Sequence, residues 1–216
     1  MFDFNCDIAQ DNKKNKIKDE YEIAQYVSSL NISGGLFSGN PCSVMKALKY
    51  ASENERAIGV HIGYDDEKDF GYTEQNLSDD ELEALILYQI SAISAFAHVY
   101  GLDLEYVRFH GAMYEKFNSD IEFARKASSV VKQFCPWLTI VVGNWETKEI
   151  IERDVNIKCA YEVTFGDNSS IREIRELEHM PETIHFTSAE NAKRAYDVIK
   201  PSPFSYNRVA EELPLS

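Results

Sequence analysis

Apolar and polar residues alternate along Phe2-Asp-Phe-Asn-Cys6, the period-two pattern of a strand that delivers Asn5 and Asp7 to its end. A lysine-rich polar loop follows from Asp11 to Lys18. Ile23, Val27 and Leu30 then recur at helical spacing and predict a helix from Glu20 to Leu30. Asn31 to Phe37 reads as a second strand whose Gly34-Gly35 permits close backbone approach or a bulge. The turn Ser38-Gly-Asn-Pro41 opens a helix to Asn54 that buries Val44, Ala47, Leu48 and Ala51. Ala57 to Ile62 is apolar except for His61 and reads as a buried third strand. Ser78 and Glu81 form a capping box before the longest helix, which Gly101 stops. Strand four covers Tyr106 to Phe109 and ends in His110-Gly111. A second capping box, Ser119 to Glu122, predicts a helix to Phe134, closed by Pro136. Trp137 to Val142 and Ile157 to Val163 are further strands around a helix from Glu146 to Arg153. Thr164 to Pro181 carries no clear pattern. Thr183 to Phe186 is a short seventh strand, and Thr187 or Ser188 caps a helix to Ile199. The tail, with Pro201, Pro203 and Pro214, is irregular.

Strands and helices thus alternate six or seven times without a hairpin signal, which predicts a parallel sheet with helical crossovers. A doubly wound sheet and a barrel both satisfy the pattern. Neither kind of glycine-rich phosphate loop is present, which favours the barrel.

Composition narrows the partners. The 216 residues suit one domain spanning 1–216, and 44% are hydrophobic, enough for a full core. A formal net charge of −14 argues against nucleic acid and against an anionic membrane surface. No basic leader precedes an apolar run, and no stretch reads as long enough to span a bilayer, so a cytoplasmic location is expected. Cys6, Cys42, Cys135 and Cys159 are irregularly spaced with no Cys-x-x-Cys pair, as expected of reduced and mostly buried thiols.

In parallel sheets chemistry gathers at the C-terminal strand ends. There the chain sets Asn5 and Asp7, Asn40, His61, His110, Asn144 and Glu162. His61 and His110 arrive at two strand ends, each before a long helix, and so define one candidate rim site with Asp7. An aspartate and two histidines from separate strands are the right types to hold a divalent metal that activates water. The same three also suit a metal-free acid/base pair in which the aspartate orients an imidazole. His98, His179 and His185 have no motif around them and read as surface or rim residues. The run Asp65 to Asp69 reads as a solvated loop.

Five segments, in order, resemble the LamB/YcsF family. Phe2-Asp-Phe-Asn-Cys-Asp-Ile-Ala-Gln10 resembles its D-L-N-x-D-x-G-E, and Asn31-Ile-Ser-Gly-Gly-Leu-Phe-Ser-Gly-Asn40 its N-I-A-C-G-x-H-A-G-D. Ala57-Ile-Gly-Val-His-Ile-Gly-Tyr64 resembles x-I-G-A-H-P-x-x and is followed by the matching Phe70-Gly71. Leu87-Tyr-Gln-Ile90 matches L-Y-Q-I, and Arg108-Phe-His-Gly-Ala-Met-Tyr114 resembles K-P-H-G-x-L-Y. The resemblance implies a distorted (β/α) barrel of about seven parallel strands, akin to glycoside hydrolases and polysaccharide deacetylases. It implies the role of the 5-oxoprolinase A component, which opens 5-oxoproline to glutamate with B and C partner subunits that handle ATP. Asp7, His61 and His110 would be catalytic or hold the metal. Asn5, Asn40, Arg108, Tyr72 and Glu162 would contact substrate.

The sequence departs from the family pattern at Gln10, Phe37, Asn40, Tyr72, Arg108 and Phe109, where the family has glutamate, histidine, aspartate, arginine, lysine and proline. A C-terminal His-Gly-Asp segment has no evident counterpart, which makes the chain a divergent and shortened relative. The departures leave open a repurposed barrel that binds a small ligand or partner without turnover. Another hydrolysis, such as deacetylation, is the third reading.

Overall fold

Seven parallel strands close on themselves, β1 pairing with both β2 and β7. The computed structural model describes residues 2–11 and 20–202; the lysine-rich loop beyond Asp11 and the tail with Pro203 and Pro214 lie outside them. The strands are β1 (Asp3–Ile8), β2 (Ser29–Ser33), β3 (Ala57–Ile62), β4 (Leu104–Phe109), β5 (Thr139–Val142), β6 (Cys159–Thr164) and β7 (Thr183–His185). Around them lie α1 (Glu20–Ala24), α2 (Pro41–Glu53), α3 (Asp79–Val99), α4 (Gly111–Ser119), α5 (Ile121–Phe134), α6 (Trp145–Asp154), α7 (Ile171–Arg175) and α8 (Ala189–Val198).

The period-two alternation sorts each strand into an outer and an inner row. Phe4, Cys6 and Ile8 join the main apolar cluster between strands and helices, as do Leu30, Ile32, Val60, Ile62, Val107 and Phe109. Full burial stabilises each large side chain by about 1.5–3 kcal/mol. The intervening residues of β1 face the barrel interior, where side chains reach strands that are not their neighbours. Asn5 Nδ2 donates to Glu162 of β6, and Asn31 of β2 accepts from Tyr106 of β4. A small inner apolar layer of Ala57, Tyr106, Val141 and Ala160 fills the remaining interior. Gly59 makes room for it, because a Cβ there would lie 2.1 Å from the Tyr106 ring.

Several elements differ from expectation. α1 stops at Ala24, and β2 begins at Ser29, because the Ser28 and Ser29 hydroxyls turn inward to Asp3. β2 ends at Ser33; Gly34 then gives the Gln89 carboxamide room to bond both the N–H and the C=O of Gly63, at 3.1 and 2.9 Å. The helix α4 lies where no element is predicted, and Ser119 closes it rather than capping α5, whose cap is Asp120. The unpatterned 164–181 segment contains α7. The predicted box at Ser78 and Glu81 is present. α3 corrects the bilayer expectation: its 21 residues are long and apolar enough to cross a membrane. Here it packs along the barrel through Leu82, Ile86, Ile90, Ile93 and Ala97. Cys6, Cys135 and Cys159 are buried, Cys42 is exposed, and all four are free.

Candidate functional site at the barrel mouth

The inner rows of five strands end in chemistry. β1 delivers Asp7, β3 His61, β4 Arg108, β6 Glu162 and β7 His185. His110 follows β4 directly. It is the N-cap residue of α4, yet its side chain makes no cap bond and turns to the site.

Hydrogen bonds fix the direction of each group. The Tyr106 hydroxyl donates to Asn31 Oδ1 at 2.8 Å, so the Asn31 amide nitrogen faces the other way. It donates to Asn5 Oδ1 and to Asp7 Oδ1, each at 2.8 Å. Asn5 Oδ1 also accepts from His185 Nδ1 at 2.8 Å, which leaves a lone pair on His185 Nε2, 3.8 Å from Asp7 Oδ2. Arg108 grips Glu162 through Nε (3.0 Å) and Nη2 (2.8 Å), and its Nη1 donates to His61 Nε2 at 3.0 Å. A neutral His61 therefore carries its proton on Nδ1, 3.5 Å from Asp7 Oδ1. His110 Nε2 donates to the Phe70 carbonyl at 2.8 Å, leaving its Nδ1 as an acceptor. Phe70 holds that carbonyl from the left-handed region, at φ 57°, a conformation costly for a bulky residue. Phe37 stacks on His110 at 4.0 Å, and Tyr72 meets its ring at 5.2 Å.

Charge is sorted as sharply as the protons. Burial lowers the His61 and His110 pKa values against the pull of Asp7, and burial with Arg108 lowers that of His185, so all three rings are neutral at pH 7. Burial alone would raise Asp7, but the interactions with His61, His185, Arg108 and His110 outweigh that and hold the carboxyl well below the ordinary range. Of these neighbours Arg108 is the one with a full charge at neutral pH, 3.6 Å away. Glu162 is held ionised in the same way by Arg108. The cluster thus pairs one guanidinium with two carboxylates. Asp7, with 17% of its side chain exposed, is its main opening to solvent. Near the mouth, a cavity of about 530 Å³ is lined by Tyr72, Glu74, Ala112, Glu115 and Lys116.

Residues 2–194 match the sequence profile of the LamB/YcsF family. The chain belongs to the LamB/YcsF family. The 5-oxoprolinase A subunit of Pyrococcus abyssi is 34% identical over 168 residues, 77% of this chain and 65% of that protein. The corresponding A subunit of Thermus thermophilus is 42% identical over 121 residues, 56% of this chain and 48% of that protein. The chain therefore spans just under two thirds of the first relative and about half of the second. The crystal structure of the lactam utilization protein from Thermus thermophilus superposes with a TM-score of 0.77 at 26% identity, covering 97% of each chain.

Set against the LamB/YcsF pattern, the structure brings together Asp7, His61 and His110, as expected, and joins Asn5, Arg108 and Glu162 to them. The last three are at most 7% exposed and bonded to one another or to neighbouring strands. Tyr72 is exposed at the mouth. Asn40 caps α2, accepting from the Cys42 and Ser43 N–H groups, and no described hydrogen bond ties it to the cluster. His185 corrects the rim assignment: it is buried inside the cluster, at the last strand end, where no motif announces a histidine. Asn31, Tyr106 and the Phe70 carbonyl are further site groups that the sequence does not reveal. Donor atoms of Asp7, His61 and His110 lie within 4.8 Å of one another, close enough for a metal. The hydrogen bonding does not fit one, because Arg108 takes the His61 Nε2 lone pair and leaves Nδ1 protonated toward Asp7.

Proposed function

We propose that this site opens a small cyclic amide by hydrolysis, 5-oxoproline being the substrate suggested by the relatives named as 5-oxoprolinase A subunits. The observation that carries the reading is the convergence of Asp7, His61 and His110 from three strands, with His185 from a fourth. His110 Nδ1 is the base. It takes a proton from the attacking water as the water oxygen bonds to the lactam carbonyl carbon. It returns that proton to the ring nitrogen as the C–N bond breaks, giving the open amino acid. Asp7 stays ionised and steadies the imidazolium formed in between, while the Asn31 amide holds its carboxylate in place. Coupling to ATP belongs to partner subunits of the B and C kind. With Arg108 seated on His61, these steps need no metal.

A second reading rests on Phe37. Its fully buried ring packs against His61 and His110 where the family pattern has a histidine, and it narrows the room beside the base. On this reading the barrel holds a ligand without turnover. Combining the chain with partner subunits, ATP and 5-oxoproline separates the two. Glutamate release that His110→Ala lowers by about 10²–10⁴-fold supports hydrolysis. Calorimetric binding of 5-oxoproline with no glutamate released supports the second reading.

A further inference from the structure

Asp7, His61 and His110 are metal-ligand types with donor atoms within 4.8 Å of one another. His110 is oriented through Nε2–H to a backbone carbonyl, the arrangement that commonly aims an imidazole at a metal. His61 is fully buried, and its Nδ1 has no hydrogen-bond partner although it faces Asp7. A buried orphan nitrogen beside a carboxylate is where a cation would be expected. What stands in the way is one side chain. The Arg108 edge lies 3.0 Å from His61 Nε2 and 3.6 Å from Asp7 Oδ1, and its other nitrogens are locked onto Glu162.

We propose that the Arg108 guanidinium takes the place of a divalent cation in this site, and that removing the Arg108–Glu162 pair would turn Asp7, His61 and His110 into a metal site. Arg108 acts in two ways. Its permanent charge neutralises Asp7 and repels a second cation nearby. Its Nη1–H occupies His61 Nε2, so the ring proton is confined to Nδ1, the nitrogen a metal would need. Glu162 keeps the guanidinium in that orientation and is, with Arg108, a positioning residue. This inference concerns the proposed catalytic cluster, yet it is read from metal affinity and not from turnover, so either can fail without the other.

The pair must be removed together, since Arg108→Met alone would strand a buried carboxylate. Arg108→Met with Glu162→Gln leaves a carbonyl oxygen to accept from the Asn5 amide, and the Tyr114 hydroxyl can turn to accept from the new amide N–H. Zinc is titrated calorimetrically into chelator-treated full-length wild type, His61→Ala, this double variant, and the double variant carrying His61→Ala. The double variant should bind one zinc ion at least about a hundredfold more tightly than wild type, with the gain lost on His61→Ala. Wild type binding one zinc ion that His61→Ala abolishes would overturn the proposal, as would a folded double variant that gains nothing. Nitrogen-15 spectra of wild-type His61 give a second test that needs no variant. Expected is a proton on Nδ1; a proton on Nε2 would refute the guanidinium's role.

Discussion

Strand β1 carries two aspartates four residues apart, and they sit in opposite circumstances. At the base of the barrel Asp3 accepts from the hydroxyls of Ser28, Ser29 and Thr183, each at 2.6 Å. At the mouth Asp7 accepts one short bond, from Asn31, and a longer one of 3.3 Å from Gln10. Its remaining neighbours are imidazoles and a guanidinium at 3.5–3.8 Å. Residue type and strand are shared. The difference is that Asp3 is held by neutral donors with no titratable imidazole among these bonds, whereas Asp7 keeps loosely held lone pairs among groups that can exchange protons. An enclosed carboxylate is structural or chemical according to what its neighbours leave undone.

The largest effect should come from exchanging the two fates. Asp7→Asn keeps the shape of the side chain and should lower ring opening per folded molecule by about 10²–10⁴-fold. Asp3→Ala should leave turnover per folded molecule intact but cost about 2–4 kcal/mol of stability, because three buried hydroxyls lose an acceptor. If urea unfolding and glutamate assays gave the reverse pattern, the base would be the reactive end.

Acid provides the next test. The three mouth histidines have lowered pKa values, while in the unfolded chain they protonate near 6.5. Below that pH the unfolded state binds more protons, so stability is full above about pH 6.5 and falls as the pH drops beneath it. Replacing His185 with Asn should lessen the loss between pH 7 and 5 by about 1 kcal/mol, seen as a flatter curve of urea midpoint against pH.

The smallest effect lies at the base and has the opposite sign. Burial, Asp3 and Asp103 push the Glu105 carboxyl up to about 7. Its contribution is therefore present below pH 4.5 and lost as the pH rises through 7. Glu105→Gln should raise Tm at pH 8 by about 2–4 °C, the shift expected for about 1 kcal/mol in a chain of this size once the solvent it retains is discounted. It should do nothing at pH 4.

The barrel is legible in the sequence because its outer row is so uniformly apolar; the alternation in β1 and the histidines at the ends of β3 and β4 are enough to order it. His185 is not, because β7 has three residues and follows a stretch without periodicity. The rule that finds His61 and His110, an inward residue at a parallel strand end, applies to it equally. α4 is hidden by starting in the same His-Gly that ends a strand, and its cap residue gives its side chain to the site instead. Arg108 is identifiable as a site residue but not for what it touches. No spacing rule links it to Glu162, 54 residues on. The Phe70 carbonyl has no side-chain signature at all.

Tyr106 reaches from β4 over Gly59 to Asn31, just beneath Asp7. It gives the barrel a floor, so the molecule is a cup and not a pipe. Whatever enters must leave through the same opening, and a product larger or more charged than the reactant must turn within the rim that admitted it. Among the described residues, Tyr72 and the loop bearing Phe70 stand at that doorway.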